Sequence, residues 1–218
     1  MKKIFILLVC FITISWESVN AQTKWERELN YFKELDAKNG ITKGEILFIG
    51  SSTFTLWKDV NDYFPGYTIV NRAFGGSKMR EVLQHFDMLV KTYEPKQVVV
   101  YEGDNDLSWA EYSVDEYMKD MRCFVRLVQV NFPQTKISIV SIKPSPSKSE
   151  KTLEKFRDAN SRLKEFCFQN NIDYINTHDA MLNEDGSIKK EIFKSDMLHM
   201  TADGYKIWKK VLYPYLIK

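Results

Sequence analysis

Four short segments of this chain carry residue types able to do acyl-transfer chemistry: Gly50-Ser51-Ser52-Thr53, Asn71-Arg72-Ala73-Phe74-Gly75-Gly76-Ser77, Glu102-Gly103-Asp104-Asn105-Asp106 and Asp196-Met197-Leu198-His199. A serine hydroxyl is a poor nucleophile until a base takes its proton, and histidine is the usual base near neutral pH. The whole chain holds only 3 histidines, so few residues can serve. A base also needs an acceptor on its second ring nitrogen, to fix the tautomer and stabilise the imidazolium. Asp196 and His199 stand three positions apart, so one short turn presents both, and a helix opening near Ala202 can hold that turn rigid. His178 has a carboxylate only at the adjacent Asp179, a spacing poorly suited to orient the ring, and His85 sits among Val82, Leu83, Phe86 and Leu89 on an expected helix. No HExxH or Cys–His spacing points to a metal centre, and no Walker A or Gly-x-Gly-x-x-Gly segment points to a nucleotide or other cofactor.

The elements that must position these segments are legible as short apolar runs separated by longer stretches of helical period. Ile46–Ile49, Tyr67–Val70, Gln97–Tyr101, Lys136–Val140 and Asp173–Ile175 read as strands, several of them apolar on both faces, as buried parallel strands must be. Val114, Tyr117, Met118, Met121, Val125 and Val128 recur at helical spacing, as do Leu153, Phe156, Leu163, Phe166 and Cys167. Strand starts lie 22 to 39 residues apart, enough for right-handed βαβ crossovers. A leading helix over about Trp25–Asp36 and a closing one over about Ala202–Tyr215 bracket the set. The expectation is one α/β domain, a three-layer α/β/α sandwich around a five-stranded parallel sheet. Ligands of such sheets bind beyond the carboxyl ends of the strands, where three of the four segments fall.

With these motifs in this order, the chain closely resembles the SGNH hydrolase superfamily, also called GDSL-type esterases and lipases. Gly50-Ser51-Ser52 is similar to the first block, with Ser51 where an aspartate usually precedes the nucleophile; Gly76, in Asn71-x-x-x-x-Gly76, matches the second; Asn105, in Gly103-x-Asn105-Asp106, the third; and Asp196-x-x-His199 the last. The resemblance covers roughly residues 44 to 215. It implies the flavodoxin-like fold of that superfamily, Ser52 as nucleophile with Asp196 and His199 completing a triad, and no cofactor or metal. The oxyanion formed on an ester would take hydrogen bonds from the backbone N–H groups of Ser52 and Gly76 and from the side-chain amide of Asn105. An α/β-hydrolase elbow would need Gly-x-Ser-x-Gly, and Phe54 and Thr53 stand two residues after Ser52 and Ser51.

Composition sets the remaining bounds. Lys plus Arg number 31 against 29 Asp plus Glu, a net +2 that gives no support to a nucleic-acid partner. Lys2 and Lys3 precede an apolar run from Ile4 to Ile14, too short to span a bilayer core of about 30 Å, and Val19-Asn20-Ala21 offers small residues before a cut. Residues 1–21 are therefore expected to be a signal peptide and 22–218 a single exported domain, periplasmic or extracellular, with no stable membrane insertion after cleavage. Cys123 and Cys167 each fall in a helical pattern, and a bridge between them is left open. The four blocks do not name the ester. No segment forms a long apolar lid for a fatty acyl chain, whose burial is worth about 0.8 kcal/mol per methylene. Trp109 and Tyr112, just past Asn105, could offer flat faces to a sugar ring, whereas Trp57 reads as core. The expectation is removal of short acyl groups, acetyl above all, from a carbohydrate, with lipid esters as the alternative and a non-catalytic binding protein on the same fold behind both.

Overall fold

The computed structural model describes residues 10–218, with side chains from Trp25 onward. Residues 1–9 of the expected signal peptide lie outside the described residues, and its remainder is the first part of helix α1, Cys10–Asn39. The expected leading helix lies within α1. Two compact units divide at Ile41/Thr42, and the second, Thr42–Lys218, holds the sheet.

Its elements run β1 (Ile46–Gly50), α2 (Ser52–Thr55), α3 (Val60–Tyr63), β2 (Ile69–Asn71), α4 (Met79–Gln84), α5 (Phe86–Leu89), β3 (Gln97–Tyr101), α6 (Asp104–Ser108), α7 (Val114–Asn131), β4 (Lys136–Val140), α8 (Glu150–Gln169), β5 (Asp173–Ile175), α9 (Thr177–Ala180) and α10 (Ala202–Leu212). All five strands pair in parallel, in the order β2-β1-β3-β4-β5. That is the doubly wound order, in which the chain reverses direction beside β1 and opens a crevice between the carboxyl ends of β1 and β3.

Strand alternation gives the sheet two buried faces. Ile46, Phe48, Val99 and Tyr101 join Phe54, Trp57, Phe64, Met181 and Trp208 in one core. Leu47, Ile49, Val98 and Val100, also fully buried, fall on the other side by the period of two. α7 and α8 begin where the sequence supplies a cap: Ser113 Oγ accepts from Glu116 N–H while Glu116 returns to Ser113 N–H, and Ser149 Oγ accepts from Thr152 N–H. α7 buries Tyr117, Met118, Met121, Phe124, Val125 and Val128, the stripe its periodicity foretells.

Two boundaries differ from expectation for local reasons. β2 begins at Ile69, not Tyr67, because Tyr67 N–H closes a turn on Phe64 and the Asn61 side-chain amide pairs with both backbone groups of Ile69. The helix expected around His85 is two, α4 and α5, since His85 leaves helical geometry at φ −111°, ψ 19°. Cys167 is buried and Cys123 exposed, both as free thiols; burial pushes the Cys167 thiol up to about 12.

Candidate active site

At the crevice, β1 ends in Gly50, which pairs in register with Tyr101 of β3. A Cβ on Gly50 would stand 2.1 Å from the Tyr101 carbonyl oxygen, so only glycine lets the two strand ends close together here. The chain then turns directly into α2. Ser51 is buried at 1% exposure, its N–H bonded to the Tyr101 carbonyl at 3.3 Å. Ser52 opens the helix, and its Oγ lies 3.1 Å from His199 Nε2. The geometry thus separates two adjacent serines that composition cannot.

His199 comes from the far end of the sequence on a tight turn. Lys194 N–H bonds the His199 carbonyl at 2.7 Å, Thr201 N–H bonds the Ile192 carbonyl at 2.9 Å, and Phe193 bridges Met200. Asp196 holds the ring from the other side, Oδ2 to Nδ1 at 2.6 Å, while its Oδ1 accepts the N–H groups of Leu198 and His199, each at 2.9 Å. Those donors, His199 N–H first, hold the Asp196 carboxyl well below the usual carboxylate range. With Nδ1–H donated to an ionised Asp196, Nε2 presents its lone pair to the Ser52 hydroxyl. Tyr205, early in α10, donates its hydroxyl to the Thr53 carbonyl at 2.8 Å and stacks on Trp57 with ring centres 4.7 Å apart. The helix behind the histidine turn is thereby pinned to the helix that carries the serine.

The other two segments meet at the same strand ends. Asn105, in α6, donates Nδ2 to the Ser77 carbonyl at 2.8 Å, which fixes the amide plane. Gly76 sits at φ +75° in the turn before α4, a conformation that favours glycine. Among the described residues, the backbone N–H groups of Ser52 and Gly76 donate to no protein acceptor. Such uncommitted donors are what a developing oxyanion requires. Asn71, expected only as the start of the second block, bonds the Phe54 carbonyl at 2.7 Å and so ties β2 to α2.

Several other expected residues lie elsewhere. His178 bonds Asp179 through Nδ1 at 3.1 Å and Ser141 Oγ through its backbone N–H at 2.9 Å, with no serine on its ring among the described residues. Asp106 makes loop hydrogen bonds, accepting from Met79 N–H at 3.0 Å and Gly103 N–H at 3.1 Å. Asp104 instead forms a buried ion pair with Lys143 at 2.9 Å and Lys148 at 3.0 Å. Trp57 is fully buried, as core. Tyr112 corrects the expectation of an open stacking face: it is 8% exposed, its hydroxyl donates to Asp120 and the Arg80 guanidinium covers its ring at 5.2 Å. Trp109 remains 61% exposed, with the Lys78 ammonium 2.8 Å from its ring centre. Among the described residues, no group of three or more His, Cys, Asp or Glu is placed to hold a metal ion.

Sequence alone assigns no role to Ser77, Glu102, Lys143 or Tyr205. One signal was available for Glu102: a lone carboxylate that directly continues the apolar run Val98–Tyr101 falls where burial is expected.

Comparison with known proteins agrees with this architecture. Residues 50–207 match the model of the GDSL-like Lipase/Acylhydrolase family. The human platelet-activating factor acetylhydrolase IB subunit alpha2 is 26% identical over 198 residues, covering 87% of this chain and 82% of that protein. A GDSL-like lipase from Bacteroides thetaiotaomicron superposes with a TM-score of 0.74 at 19% identity, covering 86% of this chain and 97% of the other. A catalytic mutant of an acetylxylan esterase from Geobacillus stearothermophilus superposes with a TM-score of 0.65 at 16% identity, covering 80% and 94%. The chain belongs to the GDSL-like lipase/acylhydrolase family of the SGNH hydrolase superfamily, and is an ester-hydrolysing enzyme.

Proposed function

We propose that this enzyme removes acetyl and other short acyl groups through an acyl-enzyme on Ser52, with His199 as base and Asp196 as its orienting partner. The observation that carries this reading is the continuous line Asp196–His199–Ser52, at 2.6 and 3.1 Å. His199 Nε2 takes the Ser52 proton as Oγ attacks the ester carbonyl. The oxyanion then forms against the N–H groups of Ser52 and Gly76 and the Asn105 amide. His199 returns the proton to the departing alkoxide, which leaves as the alcohol. Water repeats the sequence on the acyl-enzyme, releasing the acid and restoring Ser52.

Two features support a small acyl group. One residue separates β1 from α2, two separate β3 from α6 and seven separate β2 from α4, so these described segments form no long apolar lid. The names of the similar human and Geobacillus proteins both specify acetyl. For the alcohol, the exposed Trp109 supports a carbohydrate; the likeness to a platelet-activating factor acetylhydrolase supports an acetylated lipid as the second reading. The basic, apolar and small-residue pattern of residues 1–21 supports export. Among the described residues no helix is long and apolar enough to cross a membrane.

An acyl-length series of p-nitrophenyl esters, run beside acetate release from an acetylated glycan and from an acetylated ether phospholipid, tests the assignment. Rates falling with chain length beyond acetyl, with acetate released from the glycan, are the expected result. A maximum at octanoyl or longer, with no acetate released, would turn the assignment to a lipase-like enzyme.

A further inference from the structure

Glu102 is fully buried, directly between the last residue of β3 and Gly103. Its Oε1 lies 2.5 Å from Ser77 Oγ, and among the described residues its buried Oε2 has no hydrogen-bond partner. Ser77, equally buried, also has its Oγ 3.2 Å from the Gly50 carbonyl oxygen. A carbonyl oxygen cannot donate, and one serine hydroxyl has a single proton. One proton could serve both contacts only as a weaker, shared three-centre bond; two full hydrogen bonds need a second proton, and among the described residues Glu102 is the group placed to supply it.

The surroundings favour the same state. The charged groups that act on Glu102 are the acids Asp106, Glu81 and Asp104, and the phenols of Tyr101 and Tyr117 lie near it. Lys143 and Lys148 are committed to Asp104. Burial, reinforced by Asp106, pushes the Glu102 carboxyl well above the usual range. A neutral carboxyl also leaves its unpartnered Oε2 as an ordinary carbonyl oxygen, far cheaper to bury than half of a carboxylate.

We propose that Glu102 is a protonated carboxylic acid that donates to Ser77 Oγ and, through Ser77, positions the oxyanion donors. Ser77 is the shared point: its hydroxyl reaches the Gly50 carbonyl just before the serine turn, its carbonyl accepts Asn105 Nδ2, and its N–H follows that of Gly76 in the chain. Glu102 touches no reacting atom, and its role is that of a positioning residue. This inference rests on the oxyanion arrangement proposed above.

The test combines infrared spectroscopy with kinetics on the full chain and three variants, Glu102→Gln, Glu102→Ala and Ser77→Ala. At about pH 8, where ordinary carboxyls are ionised, the wild-type minus Glu102→Gln difference spectrum should contain a protonated-carboxyl C=O band that shifts in D2O. Glu102→Gln, whose neutral amide N–H can replace the donor, should keep kcat within about threefold. Glu102→Ala and Ser77→Ala should lower kcat by roughly ten- to a hundredfold, with KM changed less than about threefold, because the lost alignment matters most in the transition state. No such band in the difference spectrum, or a Glu102→Gln kcat as low as that of Glu102→Ala, overturns the proposal. Ser77→Ala keeps the kinetic arm informative if Glu102→Ala does not fold, and the band is read whichever serine is the nucleophile. Retained activity in Ser52→Ala would defeat the proposed mechanism while leaving that band in place.

Discussion

Two carboxylate-bearing regions meet at the same strand ends and are built in opposite ways. The Asp196–His199 turn lies at the solvent edge, its two side chains 48% and 25% exposed. Three N–H groups from its own turn hold the Asp196 carboxyl down in its ionised form. The Glu102–Asp106 segment is buried, and desolvation pushes two of its three acids up, Asp106 to about 7. Asp104 is the exception within it, because Lys143 and Lys148 offset its burial. An exposed carboxylate surrounded by donors is suited to carry charge during turnover; buried acids without cations are suited to hold backbone in place. Residue type decides little here, and the donors and cations within reach decide most of it.

The largest effect should come from breaking the exposed line. Ser52→Ala or His199→Ala is expected to lower kcat by about 10⁴–10⁶, measured on a short p-nitrophenyl ester, since the two act as one unit. Ser51→Ala and His178→Ala should each leave kcat within about threefold; a loss on the scale of Ser52→Ala would shift the assignment to the neighbouring serine or the other histidine. Asp196→Asn should cost about 10³–10⁴, because the amide leaves His199 in the wrong tautomer. Asn105→Ala belongs to the buried region and should cost about 10²–10³ in kcat with little change in KM, the pattern of a donor used mainly in the transition state.

The smallest effect concerns stability. Asp106 has a folded-state pKa raised to about 7 from an ordinary 3.8, so the folded protein binds its proton more tightly than the unfolded chain. Stability tied to this group is fully present below about pH 4 and declines as pH rises through 7, by an amount on the order of a few kcal/mol. Denaturant titrations of wild type and Asp106→Asn should therefore show the variant with a flatter dependence between about pH 4 and 7. Parallel pH profiles in the two proteins would mean that Asp106 stays ionised throughout, held by Met79 N–H and Gly103 N–H.

How much of this was legible in the sequence follows the same division. β1 and β3 were readable to within a residue because a parallel strand covered on both faces leaves an apolar run, and β4 and β5 matched as well although Lys136, Ser138 and Asp173 interrupt theirs. That Ser52, Asp196 and His199 come within hydrogen-bond reach was readable because acyl transfer restricts the residue types and one turn carries two of them. The fit of β2 was not, since its start depends on Asn61 folding back on Ile69. Tyr112 was misread as an open face because its burial comes from Asp120 and Arg80, one on α7 and one on α4. Glu102 and Ser77 lie 25 positions apart, after β3 and β2, and become a pair only when both strands pair with β1. Contacts of that kind have no local signature.

The proposed mechanism requires that His199 activate Ser52. A fluorophosphonate that phosphonylates activated serines, followed by intact-protein and peptide mass spectrometry, tests this without choosing a natural substrate. The expected result is a single adduct on the peptide containing Ser52, absent from Ser52→Ala and nearly absent from His199→Ala. An adduct on Ser51, or an undiminished adduct in His199→Ala, would contradict it.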